Sequence, residues 1–205
     1  FLDEFPEYKR EIIEMLRVPL EKHEISIVRK EQTLTFPADF LLSVCANSCP
    51  CGYYPMDKCR CTYRQIVKYQ NRISGPILDR IDLFVRCEEI GYEALTSNSK
   101  EESSADIRKR VSKAWEIQKE RFAQSTTLFN GRKNEVEIYC KLDEEGQQLM
   151  KEAFSVFQLT GRSYFKILKV ARTIADLEGS YDIKSRHVEE ALYFRQKGEG
   201  RVKVR

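Results

Sequence analysis

The sequence predicts a mixed α/β unit followed by an all-helical one. Between residues 24 and 87 the apolar residues either alternate or gather in short continuous runs, which are strand patterns. From residue 105 onward the pattern changes to a helical period. Between the two lies "TSNSKEESS", residues 96–104, polar and without period, which reads as a loop or linker. The expected organisation is an α/β unit over 1–95, a linker and connecting helix over 96–131, and a helical domain over 132–205.

In chain order, "FPEYKREIIEMLRVPLE" sets Ile12, Ile13, Leu16 and Leu20 at helical spacing, with Pro6 near the start, and predicts one helix. "EISIVRKEQTLTF" alternates on both sides of a polar tip, Arg29–Gln32. Ile25 and Ile27, then Leu34 and Phe36, make it a β-hairpin. "FLLSVCAN", residues 40–47, is a continuous apolar run of the length of a buried parallel strand. "TYRQIVKYQNRIS" reads as a helix, "GPILDR" as a short helical turn, and "IDLFVRC", residues 81–87, as a further strand. Strand, helix, hairpin, strand, helix, strand is the order of half an α/β sheet. The helical half is expected over 105–124 around Trp115, 143–157, 161–178 and 184–196. No internal repeats or low-complexity tracts occur.

Composition sets the outer bounds. Apolar residues make up 41% of the 205, enough for a core, and charged residues 33%, as suits a soluble protein. No apolar run approaches the roughly 20 residues of a membrane helix. The opening "FLDEFPEYKR" has neither a basic start nor an apolar stretch, so no secretory leader is expected, and a reducing, cytoplasmic setting follows. A net charge of +3 argues neither for nor against nucleic acid, so any basic site is local. "FLDEF" looks like the tail of a buried strand, and the chain is expected to be a fragment of a longer protein.

Four of the seven cysteines fall in "SCPCGYYPMDKCRCT". Cys49-x-Cys51 and Cys59-x-Cys61 are two knuckles whose four thiolates can close a tetrahedron around zinc, with Zn–S near about 2.3 Å. No His or Asp completes a catalytic pattern there, and all-cysteine sites are usually closed and structural. Two disulfides or four unligated thiols are the alternatives; a reducing compartment favours metal. Cys45, Cys87 and Cys140 sit in apolar or strand-like surroundings and are expected to be buried free thiols. His23 and His187 stand apart from other ligand types and read as structural or surface residues.

An apolar strand ending in Asp3-Glu4 is the pattern by which nucleoside triphosphatases hold Mg²⁺ and polarise the attacking water, although alone it also fits an ordinary loop start. The surrounding motifs extend it. "FLDEFPE", "VPLE", "TFPADF", "CPCG", "CRCT", "RISGPILDRIDL", "LTGRSYFKILKVARTIADLEGS" and "EALYFR" stand in one order from residue 1 to about 196. In that order they resemble the magnesium-chelatase-related branch of the AAA+ ATPases, most closely the ComM-like family. Minichromosome maintenance helicases share the layout more distantly.

The resemblance implies the C-terminal half of an AAA+ parallel-sheet core, with a β-hairpin insert and a zinc knuckle, followed by a helical lid. Asp3 and Glu4 match the end of the Walker B motif, and Asn47 matches sensor 1, the polar residue that places the water. Arg80, in "ILDR", matches the arginine finger that reaches a neighbouring subunit's nucleotide. Arg162, in "TGRSYF", matches the sensor 2 arginine, with ATP and Mg²⁺ as cofactors. These roles fit phosphoryl transfer, where fixed cations and a positioned water supply most of the catalysis. Arginine suits two of them because its planar fork is always charged. Arg162 sits in the first turn of a helix expected to bury Tyr164, Ile167, Leu168, Ala171 and Ile174 along one stripe, where the dipole favours an anion. Lys169 and Arg172 are rivals that lie deeper in that helix. Singly, Arg80 also reads as a strand-capping salt bridge and Arg162 as a solvated helix start. Two departures stand out. The phosphate loop G-x-x-x-x-G-K-[ST] is absent from these residues, and Ser48 follows Asn47 where relatives usually carry proline.

For partners, the resemblance implies a hexameric ring of copies, acting on DNA with other recombination proteins and away from membranes. Arg29 and Lys30 at the hairpin tip are DNA-contact candidates by resemblance. Arg64, Lys68 and Arg72 recur every four residues on one helix face, either a phosphate track or a solvated face. The basic tail from Arg195 reads as a frayed terminus. Two other functions stay open: a chelatase-type ATPase that drives metal into a tetrapyrrole through partner proteins, and a zinc-dependent binding module without ATPase activity.

Overall fold

The computed structural model describes residues 1–30, 32–87, 91–96, 102–123, 130 and 136–199. The chain divides into two compact units at Ile81/Asp82.

The first unit starts with Leu2 in a parallel bridge to Val44, followed by a 3₁₀ turn, Phe5–Glu7, which Pro6 suits because it has no N–H to satisfy. The single helix expected next is two: α1 (Arg10–Met15) and α2 (Arg17–Lys22). Pro19 explains the break. It cannot donate back to Met15, so the ladder stops and restarts with Pro19 in a first turn, where its missing N–H costs nothing. Strands β1 (Glu24–Arg29) and β2 (Gln32–Pro37) form the expected antiparallel hairpin. Arg29 pairs with Gln32 in register, and Lys30 takes φ 56°, as a two-residue hairpin tip requires. Glu31 lies outside the described residues.

The expected strands at 40–47 and 81–87 are not formed. Residues 40–47 are extended but paired only through the Leu2–Val44 bridge, and Leu41 is 92% exposed. Residues 81–87 carry no strand. A buried parallel strand needs neighbours brought beside it by crossover connections. Among the described residues, Leu2 is the one ladder partner that 40–47 meets. The sheet is therefore the two-stranded hairpin, and the fold is mixed α/β but mostly helical. The same lack of neighbours corrects two cysteines: Cys45 and Cys87 are exposed, and Cys140 alone of the three is buried.

After the cysteine loop, α3 (Tyr63–Gln70) begins with a capping box. Thr62 accepts from the Gln65 N–H, and the Gln65 side chain accepts from the Thr62 N–H. Its buried residues are Ile66 and Tyr69. Helix α4 (Gly75–Leu78) carries Pro76 in its first turn. Phe5, Ile13 and Ile77 form the unit's fully buried cluster, with Leu2, Val44 and Ile73 against it.

The second unit holds α5 (Tyr92–Thr96), α6 (Ser104–Arg121), α7 (Val136–Tyr139), α8 (Glu144–Val156), α9 (Gly161–Glu178) and α10 (Ser185–Glu199). The four long helices match the sequence periodicity. Ser103, Asp143 and Thr160 cap α6, α8 and α9 by accepting from the N–H three residues on. Gly146 is confined by this geometry: a Cβ there would lie 2.8 Å from the Asp143 capping oxygen and 3.6 Å from Val188. The core joins α7 to α10 through Met150, Leu159, Ile167, Ala171, Ile183 and Val188. The predicted α9 stripe is present: Ile167, Leu168 and Ala171 are buried, and Tyr164 and Ile174 pack at its margin. Residues 97–101 of the expected linker, and 200–205 of the basic tail, lie outside the described residues. Arg195 is buried in α10, where Ser163 accepts from its Nη2 at 3.3 Å.

This unit also contains a buried polar cluster that sequence patterns did not reveal. Asp176, 1% exposed, accepts from Arg121 at 2.9 Å, from Arg172 at 3.1 Å and from Asn130 at 2.9 Å. Arg172 also donates to the carbonyls of Tyr181 and Ser180. Arg172 is therefore a core residue and not a rival lid contact. Its (i, i+4) spacing to Asp176 on the apolar stripe was the one available signal. No helix among the described residues is long and apolar enough to cross a membrane.

Candidate functional site

The acidic pair and Asn47 leave one edge of the first unit. Leu2 N–H donates to Ser43 O, Cys45 N–H to Leu2 O, and Phe5 N–H to Cys45 O, each at 2.9 Å. These bonds align the two segments in parallel, so both run out at their carboxyl ends, Asp3-Glu4 on one and Asn47 on the other. Carboxyl ends of parallel strands are where α/β proteins bind ligands. Both acids and Asn47 are exposed. Glu4 takes φ 49°, ψ 40°, a left-handed conformation unusual for a non-glycine residue. Its N–H donates to the Asp3 carboxylate at 2.8 Å, which holds that turn. A strained backbone at a candidate reacting position is a recurrent feature of working sites.

Arg80 is held close to its own unit. Its side chain is 9% exposed, its Nη1 donates to Pro76 O at 2.7 Å, and its Nη2 pairs with Glu21. Arg162 occupies the second residue of α9, exposed, beside the Thr160 cap. Further along α9, Lys166 pairs with Asp82 at 2.7 Å, and burial pushes the Lys169 ammonium pKa down.

The basic candidates separate into three situations. Arg29 and Lys30 are exposed at the hairpin tip. Arg64 and Lys68 are exposed on α3. Arg72 does not continue their face, because α3 ends at Gln70. Instead Arg72 forms an ion pair with Glu7 at 2.7 Å.

Cys49, Cys51, Cys59 and Cys61 converge, their sulfurs all within 4.8 Å of one another, and none is in a disulfide. The Cys49–Cys51, Cys51–Cys59 and Cys49–Cys59 separations are 3.4, 3.6 and 3.8 Å. A tetrahedron with metal–sulfur bonds of about 2.3 Å has edges of about 3.8 Å, so the donor set fits a zinc-sized ion with little movement. Gly52 adopts φ 82° in the first knuckle, which only glycine does without strain. Tyr54 N–H donates to Cys49 Sγ at 3.3 Å. The thiols are unequal. Backbone N–H groups of Tyr53 and then Arg60 bring the Cys51 pKa down to about 6. Cys61, whose thiol bonds Cys51, is pushed up to about 12. Successive ionisation in so small a space builds repulsion between thiolates, and a divalent cation relieves it.

Comparison with known proteins places the chain in a family. A family profile described as "Magnesium chelatase, subunit ChlI" matches residues 1–95, and one described as "Magnesium chelatase, subunit ChlI C-terminal" matches 101–195. Competence protein ComM of Haemophilus influenzae is 40% identical over 196 residues, 95% of this chain and 38% of that protein. The chain belongs to the ComM-like magnesium-chelatase family. Uncharacterized protein YifB of Salmonella typhimurium is 38% identical and that of Escherichia coli 37%, each over 95% of this chain and 38% of the relative. The chain thus spans 38% of the length of these ComM-like relatives. The family is related to the AAA+ ATPases.

Proposed function

We propose that this chain is part of an ATP-hydrolysing AAA+ motor that forms a ring and remodels DNA by branch migration or unwinding. The observation that carries the reading is the parallel pairing of Leu2 with Val44, from which Asp3-Glu4 and Asn47 leave at one carboxyl edge. The name of the Haemophilus relative, a competence protein, supports DNA as the client. Asp3 holds Mg²⁺, Glu4 polarises the attacking water, and Asn47 orients it. Arg80 lends its charge to the nucleotide of an adjoining copy once it leaves Glu21, and Arg162 brings a second cation from the helical lid. ATP supplies the phosphoryl group, and its phosphate loop belongs to a part of the protein other than these residues. Arg29 and Lys30, then Arg64 and Lys68, are the phosphate contacts to DNA, with Arg72 joining only if it releases Glu7. The cysteine cluster holds zinc as a structural element, and the setting is cytoplasmic.

The description of the matching profile favours a second reading, a chelatase-type ATPase whose client is a partner protein. The test is ATP turnover by the full-length protein with and without branched or single-stranded DNA. Stimulation by DNA is expected; no effect of DNA together with stimulation by a partner protein favours the chelatase reading. In the same assay Arg80→Ala lowers turnover by about 10³-fold or more, the worth of an arginine finger. Unchanged turnover would support a zinc-dependent binding module instead.

A further inference from the structure

We propose that the metal-loaded cysteine cluster is one of two anchors that fix Asn47 relative to Glu4, so that metal occupancy sets the competence of the hydrolytic edge. This rests on the water-positioning role given to Asn47 above. Asn47 lies midway along a five-residue span, Cys45 to Cys49. At one end, Cys45 donates to Leu2 O and accepts from Phe5 N–H, the residues that flank Asp3 and Glu4. At the other end, Cys49 is buried, its sulfur 3.4 Å from Cys51 and 3.8 Å from Cys59. The Asn47 side chain makes no hydrogen bond among the described residues, so the backbone on either side sets its position.

The knuckle also lies close to Asn47. A Cβ on Gly52 would lie 3.9 Å from Asn47 Cγ and Oδ1, so the tight turn of the first knuckle abuts the amide. Ser48 Oγ donates to Tyr54 O, and Tyr54 N–H donates to Cys49 Sγ. A metal ion closing the four sulfurs therefore holds Cys49, Gly52 and Tyr54 together around Asn47 and Ser48. Without it, nothing bonds the two knuckles to each other through the four sulfurs, and the loop around Asn47 is free to open. Gln70 Nε2, donating to Ser48 O at 3.0 Å, then holds Ser48 from α3 by a neutral hydrogen bond.

The test uses the full-length protein, zinc-loaded and then stripped with a chelator. Amide exchange at Phe5 and Cys45, the bonded amides of this edge, is expected to quicken about tenfold or more on stripping, with α9 unchanged. ATP turnover falls in parallel, and added zinc restores both. Unchanged exchange and turnover after complete zinc loss overturn the proposal. Should stripping unfold the whole first unit, Gly52→Ala decides. It is expected to keep one zinc per chain while exchange at Cys45 and Phe5 rises and turnover drops; parent-like exchange and turnover in that variant overturn the proposal. Asn47→Ala separates the role of the residue from the role of its anchor. If its zinc-loaded form hydrolyses ATP at the parent rate, the role of Asn47 is wrong and the regulatory proposal falls with it, whatever the exchange data give. If Asn47→Ala abolishes turnover while stripping leaves exchange and turnover intact, the role stands and only the anchor is overturned.

Discussion

Glu178 shows how much a single side chain organises here. It accepts from His187 Nε2 and from Arg186, tying the end of α9 to the start of α10. His187 is 2% exposed, and its Nδ1 accepts from the Lys184 N–H at 3.0 Å, which assigns the ring proton to Nε2. The His187 bond first, and Arg186 second, hold the Glu178 carboxyl below its ordinary pKa. A carboxylate depressed in the folded state contributes stability that is whole above the unfolded value of about 4.3 and is lost as pH falls through the lower folded value. Glu178→Gln is therefore expected to flatten the decline in melting temperature between pH 6 and pH 3, measured beside the parent. A decline as steep as the parent's would exclude this carboxylate as a source of acid sensitivity. His187 was read as a structural or surface residue because no Cys or second His stands near it in sequence. Its partner was not, since the nine residues to Glu178 include a helix end and a turn.

Among the elements, α6 and α9 meet through charge rather than through apolar packing alone. The Asp176 side chain is fully buried between Arg121 and Arg172. Asp176 raises the Arg121 pKa, whereas burial lowers that of Arg172. Removing the shared carboxylate leaves two guanidinium groups facing each other. Asp176→Ala is expected to destabilise the helical unit by about 3–5 kcal/mol in denaturant unfolding, the cost of breaking a buried pair. Lys109→Ala, which removes an exposed pair with Asp106, is expected to cost less than about 1 kcal/mol. Helices were the most legible elements. Their period places the four long ones within about three residues at each end. The strands at 40–47 and 81–87 were not. A short apolar run reports the wish to be covered, and what covers it is decided by chain elsewhere in the fold. Leu41 and Val85 remain exposed for that reason.

At the scale of the whole molecule, our reading has the chain supply some parts of a phosphoryl-transfer site, and the phosphate loop is not among these residues. The acidic pair and Asn47 belong to the first unit and Arg162 to the second. Arg80, in our reading, serves another copy. The family was legible from motif order: "FLDEFPE" is weak alone, but it stands in one order with the two cysteine knuckles and the highly specific run "GRSYFKILKVARTIADL". The state of each side chain was not. Motif matching says nothing of Arg80 folded back onto Glu21, or of Arg72 committed to Glu7. Those are outcomes of local charge that only three dimensions disclose. Water activation in our reading belongs to Glu4, so the most direct measurement is ATP turnover by full-length Glu4→Gln beside its affinity for Mg·ATP. A fall in kcat of about 10²-fold or more with affinity held within about twofold is predicted. A kcat within about twofold of the parent would contradict the assignment of water activation to this residue.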